Sequence, residues 1–191
     1  MSRMTRLLLS LVVLSAVTGC GAEEPNKASD RAGAATPPPA TDRAAAATAA
    51  NTGEVDFLKE QLDVGEKQIG LARLVSDRAT RPALVRFGET VLRDHQQATD
   101  ALRQIAGRLG VQKTGQPEQL QVEGERLSKL SGVPFEREYL DEIIADHEDE
   151  VADLEKAASG GHPEIRQWAT STLPIMRRRL EEARELRKAG Q

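Results

Sequence analysis

A chain of 191 residues carries 26 Lys and Arg against 30 Asp and Glu, a formal net charge of −4, with three histidines and one cysteine. The mildly acidic balance argues against nucleic acid as a partner, since gripping phosphates needs a basic face. A single cysteine excludes intrachain disulfides and thiolate-rich metal sites.

The N-terminus reads as an address. Arg3 and Arg6 precede Leu7 to Val17, an eleven-residue apolar run. That run is too short for a bilayer-spanning helix, which needs about 20 residues, and fits the apolar region of a secretory signal. It ends in Val17-Thr18-Gly19-Cys20, which resembles the bacterial lipobox. Residues 1–19 are therefore expected to be a lipoprotein signal peptide, and Cys20 the residue that carries lipid, palmitate included. Several acyl chains, at ~0.8 kcal/mol per buried methylene, anchor a protein stably. The expected partner is thus a membrane, reached through the lipid on Cys20. Gly21 follows, where aspartate would resemble an inner-membrane retention signal. The expected location is the bacterial cell envelope, on the periplasmic face of the outer membrane where the host has one.

Residues 20–53 hold Ala, Thr, Pro and Gly with scattered charges, including Pro37-Pro38-Pro39 and Ala44-Ala45-Ala46-Ala47. Such a composition cannot bury enough apolar surface to offset the entropy of ordering, so a disordered linker is predicted. As a flexible coil, 21–53 would reach about 30 Å.

From 54 to 189 apolar residues recur every three or four positions, the helical period. The first predicted helix (54–79) runs Val55, Leu58, Leu62, Ile69 and Ala72. The second (82–109) runs Leu84, Gly88, Val91, His95, Ala98, Leu102, Ile105 and Leu109. A connector from Val111 to Val133 contains a weak short helix near 117–130. The next long helix (135–158) runs Leu140, Ile144, His147, Val151 and Leu154. The last (163–188) runs Ile165, Ala169, Thr172, Met176, Arg179, Ala183 and Leu186. Pro82, Pro134 and Pro163 fall in first turns, where a missing N–H costs nothing. Pro174, inside the last helix, removes a hydrogen bond and is expected to bend it. The predicted class is all-α. Short links make two antiparallel hairpins. The connector spans about 50 Å at ~1.5 Å per helical and ~3.3 Å per extended residue. It can therefore run the bundle's length and leave the second and third long helices parallel, the crossover of a ferritin-like four-helix bundle.

One polar side chain interrupts each long apolar stripe near mid-height: Glu66, His95, His147 and Arg179. Desolvating such groups costs several kcal/mol unless they find partners, so a shared buried cluster is expected, with Asp94 and Asp146 beside it. Two chemistries fit. In one, Glu66 pairs with Arg179 while the aspartates orient the imidazoles, and the cluster only fixes register. In the other, Glu66, His95 and His147, with Asp94 or Asp146, hold one divalent metal, zinc or iron. Arg179 speaks against a cation. A di-iron centre would need Glu three residues before each histidine; Leu92 and Ile144 stand there. Trp168 and Phe87 sit at core spacing, and His162 is a loop residue with no visible partner.

The segments Phe57 to Leu74, Val91 to His95, Ser131-Gly132 to Leu140, Asp146-His147-Glu148 and Thr172-Leu173-Pro174 resemble the ferritin-like domain of unknown function 4142. The resemblance covers 55–188. It implies a four-helix bundle in a secreted or lipid-anchored bacterial envelope protein, with an unassigned biochemical role. It also implies a histidine on the last helix shortly after the Leu-Pro pair; Arg179 holds that position here. The leading expectation is a non-enzymatic binding or structural, stress-related module, with no catalytic residue and no cofactor. The alternative is a mononuclear zinc or iron protein. The sequence does not identify a protein or envelope-polymer partner.

Overall fold

The computed structural model of the chain describes residues 49–113, 115 and 118–190; the expected signal peptide, Cys20 and most of the linker lie outside them. Five helices follow in order: α1 (Thr52–Arg78), α2 (Pro82–Arg108), α3 (Glu118–Ser128), α4 (Gly132–Ser159) and α5 (Pro163–Lys188). Among the described residues there is no strand. Nor is any helix among them long and apolar enough to cross a membrane.

Local chemistry sets the helix starts. Asn51 caps α1 by accepting from the Glu54 N–H at 3.0 Å, and Glu54 accepts in return from the Asn51 N–H at 2.8 Å, a reciprocal capping box. α2 and α5 begin on Pro82 and Pro163, whose rings preset φ for a first turn. α4 starts three residues before the expected 135, because Gly132 takes φ +59° and lets the first turn form ahead of Pro134. α5 runs on through Pro174.

Ion pairs along the helices fix their directions. On α2 and α5, Arg108 meets Glu164 and Asp94 meets Arg179, so these helices run opposite ways. On α1 and α4, Lys67 meets Asp146, and Thr80, just past the end of α1, hydrogen-bonds Glu136, again antiparallel. Since α1 and α2 form a hairpin, α2 and α4 are parallel. This is the expected crossover. The connector lies over α1: Lys113 bridges Asp63 and Glu66 at 2.8 Å each. A Cβ on Gly70 would come within 2.3 Å of Leu120 Cδ1.

Two further glycines let α1 and α2 approach closely. A Cβ on Gly88 would lie 2.7 Å from Val75 Cβ, and one on Gly65 would lie 2.2 Å from Thr99 Oγ1. Each hairpin turn is also held by a glutamate near the start of the other hairpin's first helix. Glu136 of α4 accepts the Thr80 and Arg81 N–H groups at 2.7 and 2.9 Å. Glu54 of α1 accepts the His162 N–H at 2.6 Å. These three hydrogen bonds tie one hairpin to the other at both ends.

The apolar core is in two pieces. One gathers Leu71, Val75, Leu84, Phe87, Val91, Phe135, Tyr139 and Ile143. The other gathers Leu58, Leu62, Leu102, Ile105, Leu154, Trp168 and Met176. Phe87 and Trp168 are core residues as expected, and the Trp168 indole N–H donates to the Ala98 carbonyl at 3.0 Å. Between the two pieces lies a polar layer: Gln68, His95, Thr99, His147, Glu150 and Thr172 are all buried.

Candidate functional site

Two imidazoles meet on the bundle axis. His95 of α2 and His147 of α4 are each 1 % exposed. Their Nε2 atoms lie 3.3 Å apart, with the rings nearly perpendicular at 89°. The other nitrogen of His147, Nδ1, is 2.9 Å from the Ile143 carbonyl one turn earlier. A carbonyl only accepts, so Nδ1 carries the proton and Nε2 keeps its lone pair. Burial pushes the His95 imidazole well below its usual pKa, helped by the facing ring and by Arg179; burial, with a smaller push from Arg179, takes His147 down to about 4. Both rings are therefore neutral near pH 7.

The third member is Glu150, one turn beyond His147. Its Oε2 lies 4.0 Å from His95 Nε2, too far for a hydrogen bond, and has no partner. Burial, reinforced by the Asp146 charge, lifts its carboxyl to about 8. One ligand atom from each of His95, His147 and Glu150 falls within 4.8 Å of the other two. Among the described residues, these are the group that could hold a metal.

The expected cluster is only partly assembled. His95 and His147 come together as expected. Glu66 does not join them: it sits on the flank of α1 under the connector, paired with Lys113 and Arg103. Those cations overcome the upward push of partial burial and hold its carboxyl below the usual value. The apolar spacing of α1 misleads because its buried face passes through Gln61, Gly65 and Gln68, so the gap in the stripe is filled by a glycine and two amides.

The expected Glu66–Arg179 pair is likewise absent. Arg179 is buried but binds Asp94 at 2.8 Å and also Glu182. Asp146 takes Lys67 at 2.8 Å and the Gln68 amide; burial still leaves its carboxyl raised. Neither aspartate touches an imidazole; each faces a cation on the neighbouring helix. His162, expected to be a free loop residue, caps α5: it is buried, and its Nδ1 accepts the Glu164 N–H at 3.3 Å.

Glu150 escaped the sequence reading although a signal existed. The di-iron pattern directs attention three residues before each histidine, whereas the carboxylate stands three residues after His147. Residues i and i+3 share a helix face in either direction. Gln61 and Gln68, both buried with unpartnered amide atoms, were hidden because an amide carries no strong sequence signature.

A family model described as a domain of unknown function, DUF4142, matches residues 39–186. The chain belongs to the DUF4142 family. No curated protein is significantly similar to it in sequence. Among solved structures, this DUF4142 chain is similar to a DUF305 fragment from Deinococcus radiodurans, with a TM-score of 0.65 and 19 % identity. The match covers 73 % of this chain and 98 % of that one. At that identity the likeness speaks for the fold alone, a helical bundle shared by the two.

Proposed function

We propose that this DUF4142 chain is a lipid-anchored protein of the bacterial envelope whose bundle acts as a non-enzymatic binding or structural module. The observation that carries the non-enzymatic reading is the sealing of the polar layer. His95, His147 and Glu150, the groups best suited to proton transfer or ligation, are at most 5 % exposed, so no organic substrate reaches them. Surface histidine, the usual general acid or base, is also missing, because His162 is buried as a cap. The anchoring rests on Val17-Thr18-Gly19-Cys20. The lipid would hold the bundle at the membrane, with the linker as spacer.

Expression with tritiated palmitate tests the anchoring. The wild-type chain takes up label and sediments with membranes, and Cys20→Ala does neither. An unlabelled wild-type chain overturns the anchored reading. Clearing of cell-wall material in a zymogram by the purified chain would overturn the non-enzymatic one.

A further inference from the structure

We infer that His95, His147 and Glu150 bind one divalent transition-metal ion, of the zinc or ferrous class, between α2 and α4. This goes beyond the module reading, which stands whether or not an ion is bound.

The geometry of the two imidazoles comes first. A zinc ion with Zn–N bonds of ~2.0–2.1 Å in tetrahedral coordination sets its ligand nitrogens about 3.3 Å apart. The Nε2 atoms stand 3.3 Å apart. The Ile143 carbonyl locks His147 in the tautomer whose Nε2 lone pair faces His95, the orientation that a backbone acceptor gives a metal-bound histidine.

An unmet group comes second. Without an ion, one imidazole N–H can serve the other ring, but nothing serves Glu150 Oε2, which is buried and unpartnered. A cation among the three atoms satisfies both lone pairs and the carboxylate together. The carboxylate has to close on the rings, from 4.0 Å at His95 and from within 4.8 Å at His147, a shift that rotation about the outer bonds of a glutamate side chain supplies. Two imidazoles and one carboxylate suit zinc or ferrous iron, and the nitrogen donors disfavour magnesium and calcium.

The objection from Arg179 loses its force here. Its guanidinium is held by two carboxylates, Asp94 and Glu182, which offset most of a charge that still reaches both imidazoles, and the Glu150 carboxylate adds a negative charge beside the ion. Lys67 is similarly bound to Glu142 and Asp146. The site also occupies the break between the two apolar clusters, among the buried polar side chains of the layer.

The test uses the full chain in detergent, stripped with a chelator and dialysed against Zn²⁺, with Co²⁺ as a spectroscopic probe. The wild-type chain takes up one Zn²⁺, and bound Co²⁺ shows the intense visible absorption of a low-coordinate N/O site. Glu150→Leu and His147→Gln weaken Zn²⁺ binding by ~100-fold or more, beyond the loss typical of an outer-shell change, and His162→Asn does not. Histidine ¹⁵N spectra of the wild-type chain keep the inference testable where a variant fails to fold. Zn²⁺ moves the Nε2 signals of two histidines and leaves the third unmoved. Substoichiometric uptake, full affinity in folded Glu150→Leu or His147→Gln, or a shift confined to His162 overturns the site.

Discussion

Glu136 is the side chain whose removal should cost the bundle most for its size. Its Oε1 accepts the Thr80 N–H at 2.7 Å, the Arg81 N–H at 2.9 Å and the Thr80 hydroxyl at 2.9 Å, while Oε2 takes Arg81 Nε at 2.5 Å. Glu136→Ala strands two backbone donors, each worth ~1–3 kcal/mol when buried and unmet. Thr80 is exposed and Arg81 half-buried, so water reaches part of the gap and the lower half of that range applies to each donor, ~2–4 kcal/mol in all. Glu136→Gln keeps a carbonyl for the two N–H groups but loses the charge and turns its NH₂ toward Arg81 Nε, on a side chain 30 % exposed that water can serve, for about 1 kcal/mol. Urea unfolding measures both. Equal losses for Ala and Gln would refute the backbone-donor account.

Acid supplies a second check on the same residue. Burial raises the Glu136 carboxyl, but hydrogen bonds from Arg81 and Thr80 outweigh it and hold the folded value below 4.5. A depressed carboxyl stabilises the fold above its unfolded pKa, and that stability is lost as pH falls through the folded value. The gap between wild type and Glu136→Gln should therefore shrink with acidification below pH 4.5. A constant gap would contradict the assigned shift.

Three other outcomes follow from the packing. Gly88→Ala drives a Cβ into Val75, a stiff β-branched side chain, and should destabilise by ~1–2 kcal/mol after the ~1 kcal/mol gain in helix propensity; Gly124→Ala meets nothing within 4 Å and should stabilise by ~0.5–1 kcal/mol, both read from thermal melts. Lys113→Ala removes the bridge to Asp63 and Glu66 and should speed amide exchange in α3 without touching α5; uniform exchange would show that the connector is not held there. Arg179→Met strands Asp94 at 16 % exposure and should cost ~1–3 kcal/mol, most of it recovered in Asp94→Asn/Arg179→Met; an additive double mutant would deny the pairing.

The helices and their order were legible in the sequence because long amphipathic periods, first-turn prolines and hairpin-length links all agree on one architecture. The polar layer was legible only in part. His95 and His147 interrupt apolar stripes of α2 and α4 that are otherwise regular, so their inward direction follows from spacing. Glu66 sits in a gap of the α1 stripe, and a gap does not say which neighbour fills it. One helical position is 100° of rotation, enough to move Glu66 from the axis to the flank where Lys113 waits. The connector decided that outcome, and a linker's path over a bundle leaves no period in the sequence. Arg179 faced the same ambiguity: an arginine reaches several carboxylates, and its choice of Asp94 and Glu182 depends on α2 standing beside α5.

Val91-Leu92-Arg93-Asp94-His95 and Ile143-Ile144-Ala145-Asp146-His147 echo each other in sequence, and the fold gives that echo a structural meaning. α2 packs on α1 and α5, and α4 packs on the same two helices, so the parallel pair stands at opposite corners. Asp94 binds a cation on α5 and Asp146 binds a cation on α1, each fixing the helix that carries the next residue, a histidine. The two Asp-His units are thus related by an approximate half-turn about the bundle axis, and the histidines meet where that axis runs. The relation breaks three residues later, where α4 has Glu150 and α2 has Ala98, whose carbonyl is taken by Trp168. A fully two-fold layer would present two carboxylates and could bridge a pair of ions. With a carboxylate on one side only, the layer offers one acid to the ion inferred above, and opposite it the Trp168 indole N–H bonds the backbone carbonyl of Ala98. The same asymmetry explains why Glu150 is left without a hydrogen bond: the frame supplies a cation for each aspartate, but none for the one acid that has no counterpart.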